Sequence, residues 1–79
     1  MYFVYILLCA DGTYYCGATN NLQKRLKQHS SEKNGAHYTK IRRPVTLKYS
    51  QQFQTLKEAR AREAEIKKLT KDQKELLFP

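Results

Sequence analysis

The feature that most constrains this chain is its first run, YFVYILLC, from Tyr2 to Cys9. Apolar residues fall on both alternations, Val4, Ile6 and Leu8 on one side and Phe3, Leu7 and Cys9 on the other. A half-wetted strand alternates apolar with polar, so a strand apolar on both sides belongs to a sheet covered on both faces. The chain has 79 residues, and a domain of that size buries only about 60% of the surface its unfolded chain exposes. Residues 1–79 therefore read as a single small domain in which few apolar positions can be wasted.

The rest of the chain fits around that strand. "ADGT" carries a turn signal and residues 13–18 form a second aromatic-containing run, which together predict a β-hairpin. Asn21 can cap a helix from Leu22 to about Ser30, with Leu22 and Leu26 one turn apart on its inner side. "SSEKNGAHYTKIRRP" has no stable period and reads as a basic loop holding Lys33, His37, Lys40, Arg42 and Arg43. A third strand is predicted from Val45 to Phe53, with Pro44 at its start. Thr55 with Glu58, and again Thr70 with Gln73, fit capping boxes for a long helix and for a short C-terminal one ending at Phe78. The order β-β-α-β-α-α predicts an α+β fold, a small three-stranded antiparallel sheet with flanking helices.

Fifteen Lys and Arg against seven Asp and Glu leave 15 − 7 = +8, a field suited to a polyanion. Nucleic acid is the leading partner class; a merely solvated basic surface is the plain alternative. Cys9 and Cys16 lie in apolar runs without other ligand types beside them, as two buried thiols would in a reducing compartment. The N-terminal run is too short to span a bilayer and has no basic residues before it, which predicts a cytoplasmic protein, at the nucleoid if it meets DNA, with no membrane partner.

Polar residues then stand out against these elements. In "TLKEARAREAEIKKL", residues 55–69, the apolar stripe runs Leu56, Ala59, Ile66 and Leu69, with Glu63 in its middle. An unpaired carboxylate there would cost several kcal/mol or be driven to protonate. On the first helix Arg25 and His29 are spaced i, i+4 and share a face offset from Leu22 and Leu26. A cation and an imidazole so placed suit a phosphate, although the same spacing occurs on many exposed helices. Tyr5, Tyr14 and Tyr15 fall inside the hairpin, where packing with the hydroxyl at the rim is the ordinary explanation.

Phe3-Val4-Tyr5, then Tyr15-Cys16-Gly17 ten residues on, then Arg25 and His29 in "NLQKRLKQH", then Glu63 in a helix, stand in the order of the GIY-YIG nuclease signature. The chain resembles the small single-domain bacterial members of that superfamily, which are related to the Slx-type endonuclease domain and more distantly to the N-terminal domain of UvrC. The resemblance covers roughly residues 2–70, and residues 35–40, "GAHYTK", look like the basic turn these members carry. It implies that Tyr5, Tyr15, Arg25, His29 and Glu63 are catalytic, with Glu63 the ligand of one Mg²⁺ or Mn²⁺. It also implies a metal-dependent endonuclease of DNA repair or recombination, acting on branched, flap or damaged DNA by structure rather than sequence. Tyr5 is assigned the general base, which requires a pKa well below its ordinary value of about 10, and Tyr15 orients water or phosphate. Lys33, His37, Lys40, Arg42 and Arg43 are the expected nucleic-acid contacts, mostly to phosphate. Without the resemblance, Glu63 could simply pair with Arg25 across a helix interface.

A shared site fixes the hairpin register. A two-residue turn at Asp11-Gly12 would pair residues whose numbers sum to 23 and put Tyr15 on the opposite face from Tyr5. The expected form is a three-residue turn, Ala10-Asp11-Gly12 with Gly12 left-handed in a G1 bulge, which gives a sum of 22 and brings both tyrosines to one face; a longer odd-numbered loop satisfies the same parity. The chain departs from the family pattern at Phe3-Val4, where Gly-Ile is usual, at Cys16 in place of Ile, and at Ala18, where some members carry a Lys. The role of that Lys would pass to Lys40 or His29. Two other functions fit the sequence: a non-catalytic nucleic-acid-binding domain, and a nuclease subunit needing a protein partner, docked near Leu76, Leu77 and Phe78.

Overall fold

The computed structural model describes residues 1–30 and 42–78. Strands β1 (Tyr2–Cys9) and β2 (Tyr14–Thr19) are followed by helix α1 (Leu22–Ser30), strand β3 (Val45–Phe53) and helices α2 (Leu56–Lys67) and α3 (Lys71–Glu75). This is the α+β order read from the sequence. Lys33, His37, Lys40 and the predicted turn at residues 35–40 lie outside the described residues.

The doubly apolar strand is central: the sheet order is β2-β1-β3, antiparallel throughout. Leu7 pairs with Tyr15 and Phe3 with Thr19, the register whose numbers sum to 22. The turn has the predicted form. Gly12 N–H donates to the Cys9 carbonyl (3.0 Å) and Cys9 N–H to the Thr13 carbonyl (2.8 Å), while Gly12 has φ +86°, which its missing Cβ permits. Asp11 Oδ1 fastens the turn, accepting from Thr13 N–H at 3.1 Å and Thr13 Oγ1 at 2.6 Å. On the other flank, the shift between Ile6↔Tyr49 and Leu7↔Leu47 leaves Lys48 as the extra residue of a bulge in β3.

Each face of β1 is covered, for a different reason. Val4 and Ile6 pack with Cys16, Ala59 and Ile66, ringed by Tyr2, Tyr14, Tyr49, Phe53, Leu77 and Phe78. This is the α2 side. The opposite face carries Tyr5, Leu7 and Cys9, all buried, and receives His29 of α1. His29 is fully buried whereas Leu22, Arg25 and Leu26 are half-buried, so α1 sets His29 against the sheet more deeply than the two leucines that periodicity had placed inward.

Local signals set the helix ends. Asn21 Oδ1 accepts from Lys24 N–H at 3.1 Å, the expected cap of α1. Thr70 and Gln73 form a complete capping box. At Thr55 the box is half made: Thr55 Oγ1 accepts from Glu58 N–H but donates to the Glu58 carboxylate at 2.9 Å, so that carboxylate turns to the hydroxyl. Helix α3 stops at Glu75, short of Phe78, because the chain bends to bring Leu77 and Phe78 onto the core, Phe78 edge-on to Tyr14. The apolar patch expected at residues 76–78 therefore reduces to Leu76, which is 85% exposed. Both cysteines are buried free thiols. No helix among the described residues is long and apolar enough to cross a membrane.

Candidate active site

The hairpin register places Tyr5 and Tyr15 on the α1 face, with ring centroids 6.3 Å apart. Directly across the ladder from Tyr5 stands Gly17. A Cβ there would lie 2.5 Å from Tyr5 Oη, 2.8 Å from its Cζ and 3.2 Å from Tyr15 Cε1. Only a residue with no side chain lets the Tyr5 ring cross β2 toward the sheet edge. Its hydroxyl ends 2.9 Å from His29 Nε2, and the His29 ring packs 4.9 Å from the Tyr15 ring, centroid to centroid.

Because β2 is an edge strand, helix α2, packed on the other face, can reach around it. A cleft of about 440 Å³ crosses this edge, lined by Tyr5, Tyr15 and Gly17 from the α1 face, by Ala18, by Arg25 of α1, and by Leu56, Arg60, Glu63, Ala64 and Lys67 of α2. The carboxylate in the apolar stripe is thus accounted for. Ala59 and Ile66 on its two sides are fully buried in the core, while the stripe at Glu63 opens onto the cleft wall. The ion pair Glu63 makes is with Lys67 on its own helix, Nζ to Oε2 at 2.7 Å, rather than the pair with Arg25 that the bare sequence left open.

Electrostatics divide the cleft. Burial pushes the Tyr5 hydroxyl up to about 12, its interaction with Arg25 pulling the other way without prevailing. The lowered pKa that a tyrosine base requires is therefore not met by the protein alone. His29 is held down at about 4 by burial, then by the Arg25 and Arg43 charges, so at neutral pH it is an uncharged imidazole. Burial also disfavours the Arg25 charge, but the Tyr5 and Tyr15 hydroxyls outweigh that and raise its pKa above the ordinary value. The Arg25 side chain is steered by Gln28, whose Oε1 accepts from Nη1 at 3.0 Å. Lys67 is raised by its hydrogen bond to Glu63, and Cys16, behind the cleft, is pushed up to about 11 by burial.

Among the predicted nucleic-acid contacts, Arg42 and Arg43 have structural work. Arg42 Nε donates to Asp11 Oδ2 at 2.9 Å, tying the hairpin turn to the start of the β3 segment. Arg43 donates from Nε to the His29 carbonyl (2.6 Å) and from Nη2 to the Gln28 carbonyl (2.7 Å), closing the C-terminus of α1. Gly17 entered the sequence reading only as part of the signature, and Arg60 and Lys67 were not singled out there. The signal for the last two was present, since residues 60, 63 and 67 share one face of a helix.

The sequence and the fold have counterparts in other chains. Residues 1–76 match the GIY-YIG catalytic domain. The chain belongs to the GIY-YIG family, a family of nucleases. A UPF0213 protein of Halobacterium salinarum is 46% identical over 78 residues, covering 99% of this chain and all of the relative. The UPF0213 protein YazA of Bacillus subtilis is 48% identical over 75 residues, 95% of this chain and 75% of its own length. The solution NMR structure of a UPF0213 protein from Bacillus halodurans superposes with a TM-score of 0.61 at 41% identity, over 98% of this chain and 82% of that one. This GIY-YIG chain shares the sheet-and-helix fold of that structure.

The donor set fits the divalent ion that the family implies. Among the described residues no three His, Cys, Asp or Glu side chains cluster, so a site needing a full protein cage is not offered there. A single carboxylate beside an open cleft suits Mg²⁺ or Mn²⁺, which keep bound waters and take substrate phosphate oxygens.

Proposed function

We propose that this GIY-YIG chain is a metal-dependent DNA endonuclease, structure- rather than sequence-selective, working in DNA repair or recombination in the cytoplasm. The observation that carries the reading is convergence: Tyr5, Tyr15, Arg25 and Glu63, from four separate elements, line one cleft. Packing alone gives no reason to gather two hydroxyls, a guanidinium and a carboxylate where the sheet edge opens.

In this reading Glu63 holds Mg²⁺ or Mn²⁺, which when bound offsets phosphate charge and acidifies water. Arg25 binds the scissile phosphate, its fork matching two phosphate oxygens as charge gathers in the transition state. Tyr15 orients that phosphate from the cleft floor. Tyr5 takes the proton of the attacking water at Oη while passing its own to His29 Nε2, 2.9 Å away, so that no free phenolate forms in the buried site. The relay requires the His29 tautomer with its proton on Nδ1. A phosphodiester seated on Arg25 also screens one of the two guanidinium charges that hold His29 low, which makes Nε2 a better acceptor when substrate is present.

Purified protein with labelled duplex, flap and branched DNA, in Mg²⁺, Mn²⁺ or EDTA, tests the reading against Glu63→Gln. Metal-dependent nicks that vanish in the variant while salt-sensitive binding persists are expected. Salt-sensitive binding with no nicks by either protein on any substrate would leave a nucleic-acid-binding domain, or a subunit that cuts only with its partner.

A further inference from the structure

Lys67 engages one oxygen of the carboxylate that a divalent ion would need. Its Nζ lies 2.7 Å from Glu63 Oε2, four residues along α2, and both side chains line the cleft with Arg25 and Arg60. A divalent ion and an ammonium cannot share that oxygen, because they would stand within a few ångströms of each other and repel strongly. The pair is also easily exchanged. Lys67 is 57% exposed, and ion pairs so placed hold weakly against solvent. When a cation takes Glu63, the ammonium on its flexible four-carbon stem must find another anion or water.

The cleft offers room for that anion. Ala18 forms part of its wall and brings no charge of its own, while Lys67 reaches into the same space from α2. We propose that Lys67 is a phosphate-binding residue of this site, held on Glu63 in the free protein and transferred to a nucleic-acid phosphodiester when a divalent ion binds Glu63. The inference rests on Glu63 being the metal ligand. It makes metal and nucleic acid load together: each relieves a cost that the other would meet alone, and the coupling must be equal in both directions. The same ammonium then has two roles, counter-ion in the free protein and phosphate contact in the complex.

Mn²⁺ binding to the free protein, followed by loss of the free-ion EPR signal at low ionic strength, tests the first role in wild type, Lys67→Met and Glu63→Gln. Anisotropy of a phosphorothioate-protected DNA duplex, in Mg²⁺ and in EDTA, tests the second. Lys67→Met is expected to bind Mn²⁺ about tenfold more tightly than wild type, from removal of one charge several ångströms from the ion. It should lose about three- to tenfold in duplex affinity with Mg²⁺ and less than about twofold in EDTA, where the wild-type lysine stays on Glu63. Unchanged Mn²⁺ affinity in Lys67→Met, with Glu63→Gln still abolishing it, would overturn the transfer and leave the metal ligand standing. An equal loss of duplex affinity with and without metal would do the same. Mn²⁺ binding indifferent to Glu63→Gln would remove the metal ligand, and the transfer with it.

Discussion

On one face of β1, Val4 and Ile6 meet Cys16, Ala59 and Ile66, every one apolar and buried. On the other, Tyr5 meets His29 and Tyr15, so that buried surface carries a hydroxyl and an imidazole. Both faces exclude water, yet they stabilise the fold differently. The α2 face gains from transfer of hydrocarbon out of water, at about 25 cal/mol per Å². The α1 face gains less per unit area and depends on each polar atom keeping its partner; among the described residues no buried side-chain nitrogen or oxygen lacks one. The candidate site lies where the sheet gives up hydrocarbon for partnered polar groups, and the apolar face supplies the stability that this requires.

The comparison breaks most sharply at Ile66. It is fully buried between α2 and the sheet, and Ile66→Ala is expected to cost about 2 to 5 kcal/mol through lost transfer energy and the cavity left behind. In a 79-residue domain that is a large part of the total stability. Leu76→Ala, at a side chain 85% exposed, should stay within about 0.5 kcal/mol. Urea unfolding of the two variants measures both. A small loss at Ile66 would mean that the α2 face is not the main source of stability.

The polar face should answer to pH where the apolar face does not. His29 has a native pKa of about 4 against an ordinary 6.5, so between those values the unfolded chain binds a proton that the native one refuses. Its contribution is whole above pH 6.5 and is lost as pH falls toward 4, by up to about 3 kcal/mol for a fully buried ring. Arg25, Arg43 and the Tyr5 and Tyr15 hydroxyls surround it. Asp11, held below its usual range by hydrogen bonds from Thr13, acts at lower pH. Urea midpoints at pH 7.5 and 4.5 should therefore converge in His29→Gln and diverge in wild type; equal divergence in both would assign the loss to other groups.

How much of this was legible depends on how local each cause is. Parity along a strand is a strict rule, so requiring Tyr5 and Tyr15 on one face was enough to exclude the two-residue turn; the three-residue turn with a left-handed Gly12 was the shortest loop of the right parity, and the hydrogen bonds of the turn are what fix it. The carboxylate in the α2 stripe was visible because helical periodicity is equally strict, and it marked the place where the packing opens. What the stripe could not reveal was the rotation of α2 about the edge strand, which decides that Arg60 and Lys67 share the cleft with Glu63. The depth of His29 was hidden for a similar reason. Leucines one turn apart announced the inner side of α1, and the Tyr5 hydroxyl, reaching across from β1, offers the buried imidazole a hydrogen-bond partner that helical periodicity could not foresee. Arg42 and Arg43 read as part of a basic loop, but their donors are engaged by Asp11 and by the end of α1, partners distant in sequence that no periodicity points to.

Gly17 joins the two faces, and its substitution sharpens the comparison most finely. Its backbone needs no left-handed conformation, so Gly17→Ala in a strand gains a few tenths to 1 kcal/mol from the stiffer unfolded chain. Against that, the new methyl meets Tyr5 Oη at 2.5 Å and Tyr5 Cζ at 2.8 Å. Tyr5 is buried and cannot swing aside as a surface side chain would; its ring must shift, at about 1 to 3 kcal/mol. The net loss of stability is expected to be about 1 kcal/mol, below those at Ile66 and His29. The local consequence is larger, because the hydroxyl displaced from Gly17 is the one bonded to His29 Nε2. The ¹⁵N shift of that nitrogen should move toward its unbonded value and nicking should fall at least tenfold, while the Ile66 methyl resonances on the opposite face stay in place. Were the Ile66 methyls to move as far as His29 Nε2, the two faces would be one mechanical unit, and the polar face could not be altered without disturbing the apolar one.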